Sequence, residues 1–299
     1  MLLFGRCSEP WLTVRSAVMA IMEGLKVAHC PPRKASTIGW FSNYDANIIG
    51  GAMVGAGMTL TGACPGTVLV QLSSGVRSGW LVLLGGVLGG ILWTRMSPYI
   101  RKDVPSNSAT SASHTIYSKF NLSQNSVILA YEAACLGMIT LATSLGPKGA
   151  YVPLHPVLGG LLIGGAQAAS LMMTGSPLGV STTYEEIGQS FWRMWDSLFG
   201  SKPVQTPPPS TRAIKFALGI LVGSYALLQS TASARVATNM QVPAVPAVLG
   251  GCIMVVGARL AGGCTSGHGI TGMALLSISS IITVASMFAG GIALAQVLA

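Results

Sequence analysis

Residues 50–64 read GGAMVGAGMTLTGAC and residues 250–264 read GGCIMVVGARLAGGC. Laid over one another, the two stretches share Gly50 with Gly250, Gly51 with Gly251, Gly57 with Gly257, Leu60 with Leu260, Gly62 with Gly262 and Cys64 with Cys264. Each is an apolar run that stops at Gly-x-Cys. Each then passes through a turn of small residues, Pro65-Gly66-Thr67 in the first copy and Thr265-Ser266-Gly267-His268-Gly269 in the second, and resumes as a second apolar piece. A helix interrupted in this way exposes backbone N–H and C=O groups, which at membrane depth is sustainable only where they meet protein, water or a ligand. The repeat therefore predicts two discontinuous helices that bring their breaks to a common site.

The composition supplies the membrane. The chain has 299 residues, of which 51% are hydrophobic and only 8% charged, with 38 glycines and 14 methionines. A soluble domain carries roughly 25% charged residues, so a soluble enzyme, a coiled coil and a disulfide-stapled module are excluded. The fold class is an all-α polytopic membrane protein in the lipid bilayer, with helices packed through small residues. It forms a single transmembrane domain over 1–299, with repeat-like halves around 47–96 and 247–298 and polar loops at 97–124 and 200–211. The net charge of +9 forms no basic patch interleaved with aromatics, so nucleic acid is not an expected partner. Six scattered cysteines without a C-x-x-C pair imply neither a zinc site nor a disulfide framework, and no cofactor is expected.

Runs long enough to span a bilayer core of about 20 residues lie near 13–30, 47–76, 79–96, 125–145, 154–176, 212–231, 244–276 and 277–298. These are about eight segments, two of them broken or re-entrant. Ten of the 17 basic residues, Arg33, Lys34, Arg95, Arg101, Lys102, Lys119, Arg193, Lys202, Arg212 and Lys215, fall in loops 31–46, 95–124 and 181–215, which eight spans place on one side. Five lie on the other side, which assigns the basic loops to the cytoplasmic face. The two copies then run in opposite directions, an inverted internal repeat. Inverted repeats with broken helices meeting near the midplane are a transporter signature, and the second half of each broken helix begins at an N-terminus, which favours anions. A weaker echo at 158–181 ends in Thr174-Gly175-Ser176-Pro177-Leu178-Gly179 and reads either as a third discontinuous segment or as a plain kink. The stretch 188–200 (GQSFWRMWDSLFG) reads as a short interfacial helix anchored by its indoles.

At Gly262-Gly263-Cys264-Thr265-Ser266-Gly267-His268-Gly269, supported by Gly62-Ala63-Cys64-Pro65-Gly66 and Leu178-Gly179-Val180-Ser181, the chain resembles the YeeE/YedE family of membrane proteins, whose characterised members import thiosulfate. The resemblance covers most of the chain from about residue 40 onwards. It implies an hourglass-like protein with inverted halves, in which central cysteines, here Cys64 and Cys264, pass the substrate along by S–H hydrogen bonds to its terminal sulfur. A thiol is a weak, soft donor and suits such a sulfur, while helix N-terminal N–H groups suit the oxygens.

The substrate-binding residues expected from these segments are Cys64, Pro65 and Gly66 in the first copy and Cys264, Thr265, Ser266, Gly267, His268 and Gly269 in the second. Thr265 and Ser266 either offer hydroxyls to the anion or cap the following half-helix. His268 reads as polar lining or turn packing, since two ligands make a poor metal site. Cys135 and Cys252 read as packing residues. Arg259 either attracts the anion or forms a structural ion pair with Glu132, and Glu185 and Glu186 are expected at the membrane interface. The sequence thus points to a multi-pass protein of the plasma membrane that transports thiosulfate or a related small sulfur-containing anion and is not an enzyme. The alternative is a membrane-embedded thiol partner that hands sulfur to a cytoplasmic sulfur-carrier protein.

Overall fold

A computed structural model describes residues 32–100, 115–145, 156–174, 179–199, 210–230 and 242–298. The expected first segment at 13–30 lies outside these residues, as does most of the two polar loops. In chain order the helices are α1 (Asp45–Thr61), α2 (Thr67–Ser73), α3 (Arg77–Ile100), α4 (Ile116–Phe120), α5 (Gln124–Leu145), α6 (Pro156–Thr174), α7 (Ser181–Phe199), α8 (Arg212–Ser230), α9 (Ala244–Leu260), a π-helical segment (Thr265–Gly272) and α10 (Ile278–Leu298). Among the described residues no strand is present; a single isolated bridge joins Thr115 and Ser277.

By length and apolar character α3, α8 and α10 can each cross a membrane, and α9 with the π-helical segment, bent by 44°, is long and apolar enough for either a broken span or a re-entrant loop. The structure therefore shows three or four spans among the described residues, against the eight segments expected. Elements do form on the expected runs 47–76, 79–96, 125–145, 154–176, 212–231, 244–276 and 277–298, and both repeat copies are broken where the sequence places the breaks. The stretch read as a basic loop with a short interfacial helix is different. It is one 19-residue helix, α7, whose Gly188 lies against the backbone of Gly90 on α3. Trp192 Nε1 donates to Ile91 O at 2.9 Å, and the Arg95 guanidinium stacks 4.9 Å over the same indole. Its aromatic cluster serves helix packing as well as any anchoring.

The described residues divide into two compact units. One holds α4, α5, α6 and the segment Ala274–Ser277; the other holds the remaining helices. The larger unit is organised by α1, which packs between α9 and α10, and by α3, which packs on α9 and α7. These contacts are backbone-close. A methyl placed on Gly50 would stand 2.6 Å from Gly257 O, and one on Gly257 would stand 2.7 Å from Gly50 O. Gly57 and Gly250 meet in the same reciprocal way, at 2.7 and 3.2 Å. The repeat positions thus contact each other crosswise, with α1 antiparallel to α9. In a bilayer, where lipid tails are as apolar as leucine, such close approach gains its energy from van der Waals contact rather than from exclusion of water.

The same logic sorts the faces of α3. Gly85, Gly86, Gly89 and Gly90 are buried towards α9 and α7, while Trp80, Leu84, Leu88 and Leu92, at intervals of four, stand exposed on another face. An exposed stripe of large apolar side chains opposite a glycine seam is the pattern of a helix that meets lipid on one side.

Gly55 on α1 is the tightest of these approaches, with Met287 O 1.9 Å from a built methyl, whereas Gly219 on α8 has nothing within 4 Å. Gly55→Ala is expected to destabilise the fold by about 1–3 kcal/mol through overpacking. Gly219→Ala is expected to be neutral or to stabilise by roughly 0.5–1 kcal/mol through helix propensity. Thermal unfolding of the detergent-purified chain checks both.

Candidate functional site

The site is built from the groups that the two broken helices release. α1 ends at Gly62, whose left-handed conformation (φ 63°) returns its N–H to Met58 O at 2.8 Å. At the second break Gly262 is also left-handed (φ 83°), and Gly263 N–H returns to Ala258 O at 2.8 Å. Glycine meets this conformation without a Cβ clash.

The carbonyls freed at each break find side-chain donors, three of the five from distant parts of the chain. At the first, Tyr184 Oη donates to Pro65 O at 3.0 Å and Gln71 Nε2 reaches Gly62 O at 3.5 Å. At the second, Ala261 O accepts from Asn47 Nδ2 and His268 Nε2, both at 3.1 Å, and Gly262 O accepts from Arg33 Nη1 at 2.8 Å. Buried backbone groups must be paired, and these five side chains answer that requirement at the breaks.

The two thiols occupy comparable positions. Cys64 Sγ accepts the N–H of Thr67, the first residue of α2, at 3.4 Å, while Cys64 N–H donates to Thr67 Oγ1 at 2.7 Å. Cys264 is wholly buried. Its sulfur shares a hydrogen bond of 3.1 Å with Ser266 Oγ, and Gly267, in the first turn of the π-helical segment, lies near it. The side chain and N–H of Ser181, which opens α7, also point to it. Cys264 therefore stands where two helical segments begin, an arrangement whose aligned N–H groups favour negative charge.

The start of α7 reaches both repeat breaks. Val180 packs against Gly66 while Ser181 meets Cys264. Tyr184, one turn further along α7, lies within electrostatic reach of both thiols. Val180 and Ser181, the end of the third echo, thus line the same place as the two repeat breaks. Gly175–Leu178 lies outside the described residues.

The expected residues do not all converge. Cys64, Pro65, Gly66, Cys264, Ser266 and Gly267 surround the region just described. Thr265 and Gly269 line an apolar cavity of about 410 Å³ bounded by Gly55, Met58, Val284 and Phe288, which neither cysteine borders. His268 is buried with both ring nitrogens engaged, Nδ1 with Ser280 Oγ at 2.9 Å and Nε2 with Ala261 O at 3.1 Å. A carbonyl only accepts, so in the neutral ring Nε2 carries the hydrogen and Nδ1 accepts from the serine. Its role is to pin the π-helical segment to α9 and α10.

A carboxylate seated on Arg259 is that of Glu185 of α7; Glu132, the partner that the sequence suggested, lies on α5. Arg259 Nη1 also approaches Thr182 Oγ1 at 3.4 Å. Glu186, expected at the interface, is buried and accepts the N–H groups of Ala213 and Ile214 at 3.4 and 3.1 Å, capping the start of α8. Sequence reasoning missed Arg33, which it counted among the topology-setting charges. It also missed Asn47, Gln71 and Tyr184 as donors to the breaks. Only Tyr184 carried a signal, its place just after the third echo.

Discontinuous helices meeting at a buried, polar-lined point in a lipid-facing helical bundle define a membrane transporter. The chain belongs to the Sulphur transport family, whose model matches residues 11–293. That match begins well before residue 40, where the motif resemblance begins. A probable transporter of Xylella fastidiosa (strain Temecula1 / ATCC 700964) is 30% identical over 142 residues, covering 47% of this chain and 91% of that protein. A probable transporter of strain 9a5c matches with the same values.

His268→Ala is expected to lower the stability of the purified protein by about 2 kcal/mol or more, because Ala261 O and Ser280 lose a buried partner and a cavity opens. His268→Gln, which retains one donor, should recover part of the loss in the same thermal unfolding measurement.

Proposed function

We propose that this protein carries thiosulfate or a closely related small sulfur-containing anion across the plasma membrane along a path through Cys64 and Cys264. The observation that carries this reading is the approach of the start of α7 to both repeat breaks, with Val180 against Gly66 and Tyr184 Oη on Pro65 O at the first and Ser181 near Cys264 at the second. Thiosulfate has a polarizable sulfur at one end and oxygens at the other. Thiol S–H groups suit the first and helix N-terminal N–H groups suit the second. Each contact is weak, and passage requires release as well as capture.

The crosswise contacts Gly50–Gly257 and Gly57–Gly250 support an inverted repeat, because residues at equivalent positions exchange partners under a two-fold operation. The eight-segment reading agrees with that symmetry, since eight segments put the three basic loops on one side and run the two copies in opposite directions. Alternating access would then be a rocking of one half against the other about the glycine crossing.

Proteoliposomes containing the full chain should take up radiolabelled thiosulfate, with sulfite and sulfate as competitors. Cys64→Ala and Cys264→Ala are each expected to reduce uptake by at least about tenfold, a loss of roughly 1.4 kcal/mol of stabilisation, while the protein stays folded in the bilayer. Unimpaired uptake in both variants would remove the thiols from the path. A persulfide on Cys264 after exposure to substrate, detected by mass spectrometry, would instead favour transfer of sulfur to a carrier protein.

A further inference from the structure

The stretch Cys64-Pro65-Gly66-Thr67 has the local chemistry of a helix that starts at the cysteine. Cys64 Sγ accepts Thr67 N–H at 3.4 Å, and Thr67 Oγ1 accepts Cys64 N–H at 2.7 Å. This reciprocal pair is a capping box in which a thiol is the cap and threonine stands in the place usual for glutamate. Proline follows directly, at the first helical position, where its missing N–H needs no partner. Gly66 already has helical angles (φ −83°, ψ −41°), and Val68 N–H reaches back four residues to Cys64 O at 3.1 Å. The next rung is missing. Leu69 N–H, which a regular helix would give to Pro65 O, instead makes a long bond of 3.3 Å to Gly66 O, and Pro65 O accepts the Tyr184 hydroxyl at 3.0 Å.

Tyr184 and Leu69 are therefore rival donors to one carbonyl. Both belong to the same buried cluster, with Val180, Ala217 and Val255. A phenylalanine would fill that apolar cluster equally well, so packing alone does not call for the hydroxyl. Pairing of the buried carbonyl does not call for it either, because Leu69 N–H is the partner that the helical ladder provides. The hydroxyl keeps the start of α2 one rung short, against the local preference of the capping box, on the residue bonded to Cys64. Tyr184 also lies within electrostatic reach of both thiols, so an anion held at Cys64 offers its hydroxyl a second acceptor.

We propose that Tyr184 is a donor shared between the Pro65 carbonyl and the substrate: its hydroxyl holds Pro65 O while the path is empty and turns to an oxygen of the anion at Cys64, and Leu69 N–H then takes over the carbonyl. No buried group is left unpaired in either state, so the hydroxyl reaches the anion without orphaning an acceptor. Capture completes the first turn of α2, and release reopens it. The inference rests on the anion-transport reading above and adds to it a substrate donor from α7 and a change of helix structure that reports occupancy.

The test uses the full chain and Tyr184→Phe, which removes the hydroxyl and keeps the ring. Hydrogen exchange at the Leu69 amide of the detergent-purified protein reads the rung directly, and thiosulfate uptake into proteoliposomes reads its consequence. In the wild type, saturating thiosulfate is expected to slow exchange at Leu69 several-fold. In Tyr184→Phe that exchange should be slow already and indifferent to thiosulfate, with an unfolding temperature near that of the wild type. The KM for uptake should rise by roughly tenfold, the scale of a lost hydrogen bond to a charged group. A purely structural hydroxyl would leave KM unchanged and exchange at Leu69 no slower in the variant; either result overturns the proposal. So does a variant that fails to accumulate, because Leu69 N–H is then unable to replace the hydroxyl. Exchange at Leu69 that responds to thiosulfate as expected, in a wild-type chain that takes up none, removes the transport reading alone. Normal uptake by a wild-type chain whose Leu69 amide ignores thiosulfate overturns the shared donor and leaves the transport reading intact.

Discussion

A helix interrupted inside a bilayer must find partners for the backbone groups it releases, and that requirement organises this protein. The carbonyls of Gly62 and Pro65 are met by Gln71 and Tyr184, and those of Ala261 and Gly262 by Asn47, His268 and Arg33. Several of these donors lie more than one hundred residues from the carbonyl they serve. Neither break is therefore a property of its own helix. Each exists because α7, α1 or the segment before α1 supplies the missing hydrogen bond, and the breaks stand or fall with the assembly of the larger unit.

That assembly rests in turn on glycine. α1 approaches α9 and α10 so closely that a methyl at Gly50, Gly51, Gly55 or Gly57 would meet backbone or Cβ atoms at less than 3.0 Å. Between membrane helices the gain comes from many small dispersion contacts, which shape complementarity of this kind maximises. The crossing also sets geometry. It runs α1 and α9 antiparallel, so the two Gly-x-Cys ends leave it in opposite directions, and α7 brings Val180 to one break and Ser181 to the other.

A transport site must bind weakly enough to let go. The environment of Cys264 fits that demand, with a thiol, one hydroxyl from Ser266, N–H groups at two helix starts and a nearby guanidinium. The charges are held in place by neighbours rather than left loose: Arg259 by Glu185, and Arg33 by Gly262 O. Membership of the Sulphur transport family agrees with a site of this chemistry.

The sequence by itself determined the membrane class and the places where the helices break. Sparse charge and abundant glycine exclude a water-facing surface, and Gly62, Pro65 and Gly262 mark where a helix can stop, although other elements supply the hydrogen bonds that sustain the breaks. The repeat in GGAMVGAGMTLTGAC and GGCIMVVGARLAGGC also made both cysteines legible as a pair. Only the tertiary structure decided which polar side chain serves which partner. Arg259 took Glu185, Glu186 turned inward to cap α8, His268 became a structural clasp, and Arg33 left the count of loop charges to lie beside Cys264. The physical reason is that backbone conformation is a local property of a few residues. Hydrogen bonds and ion pairs are instead chosen by distance in space, and a linear pattern of charges carries no record of which helices will meet.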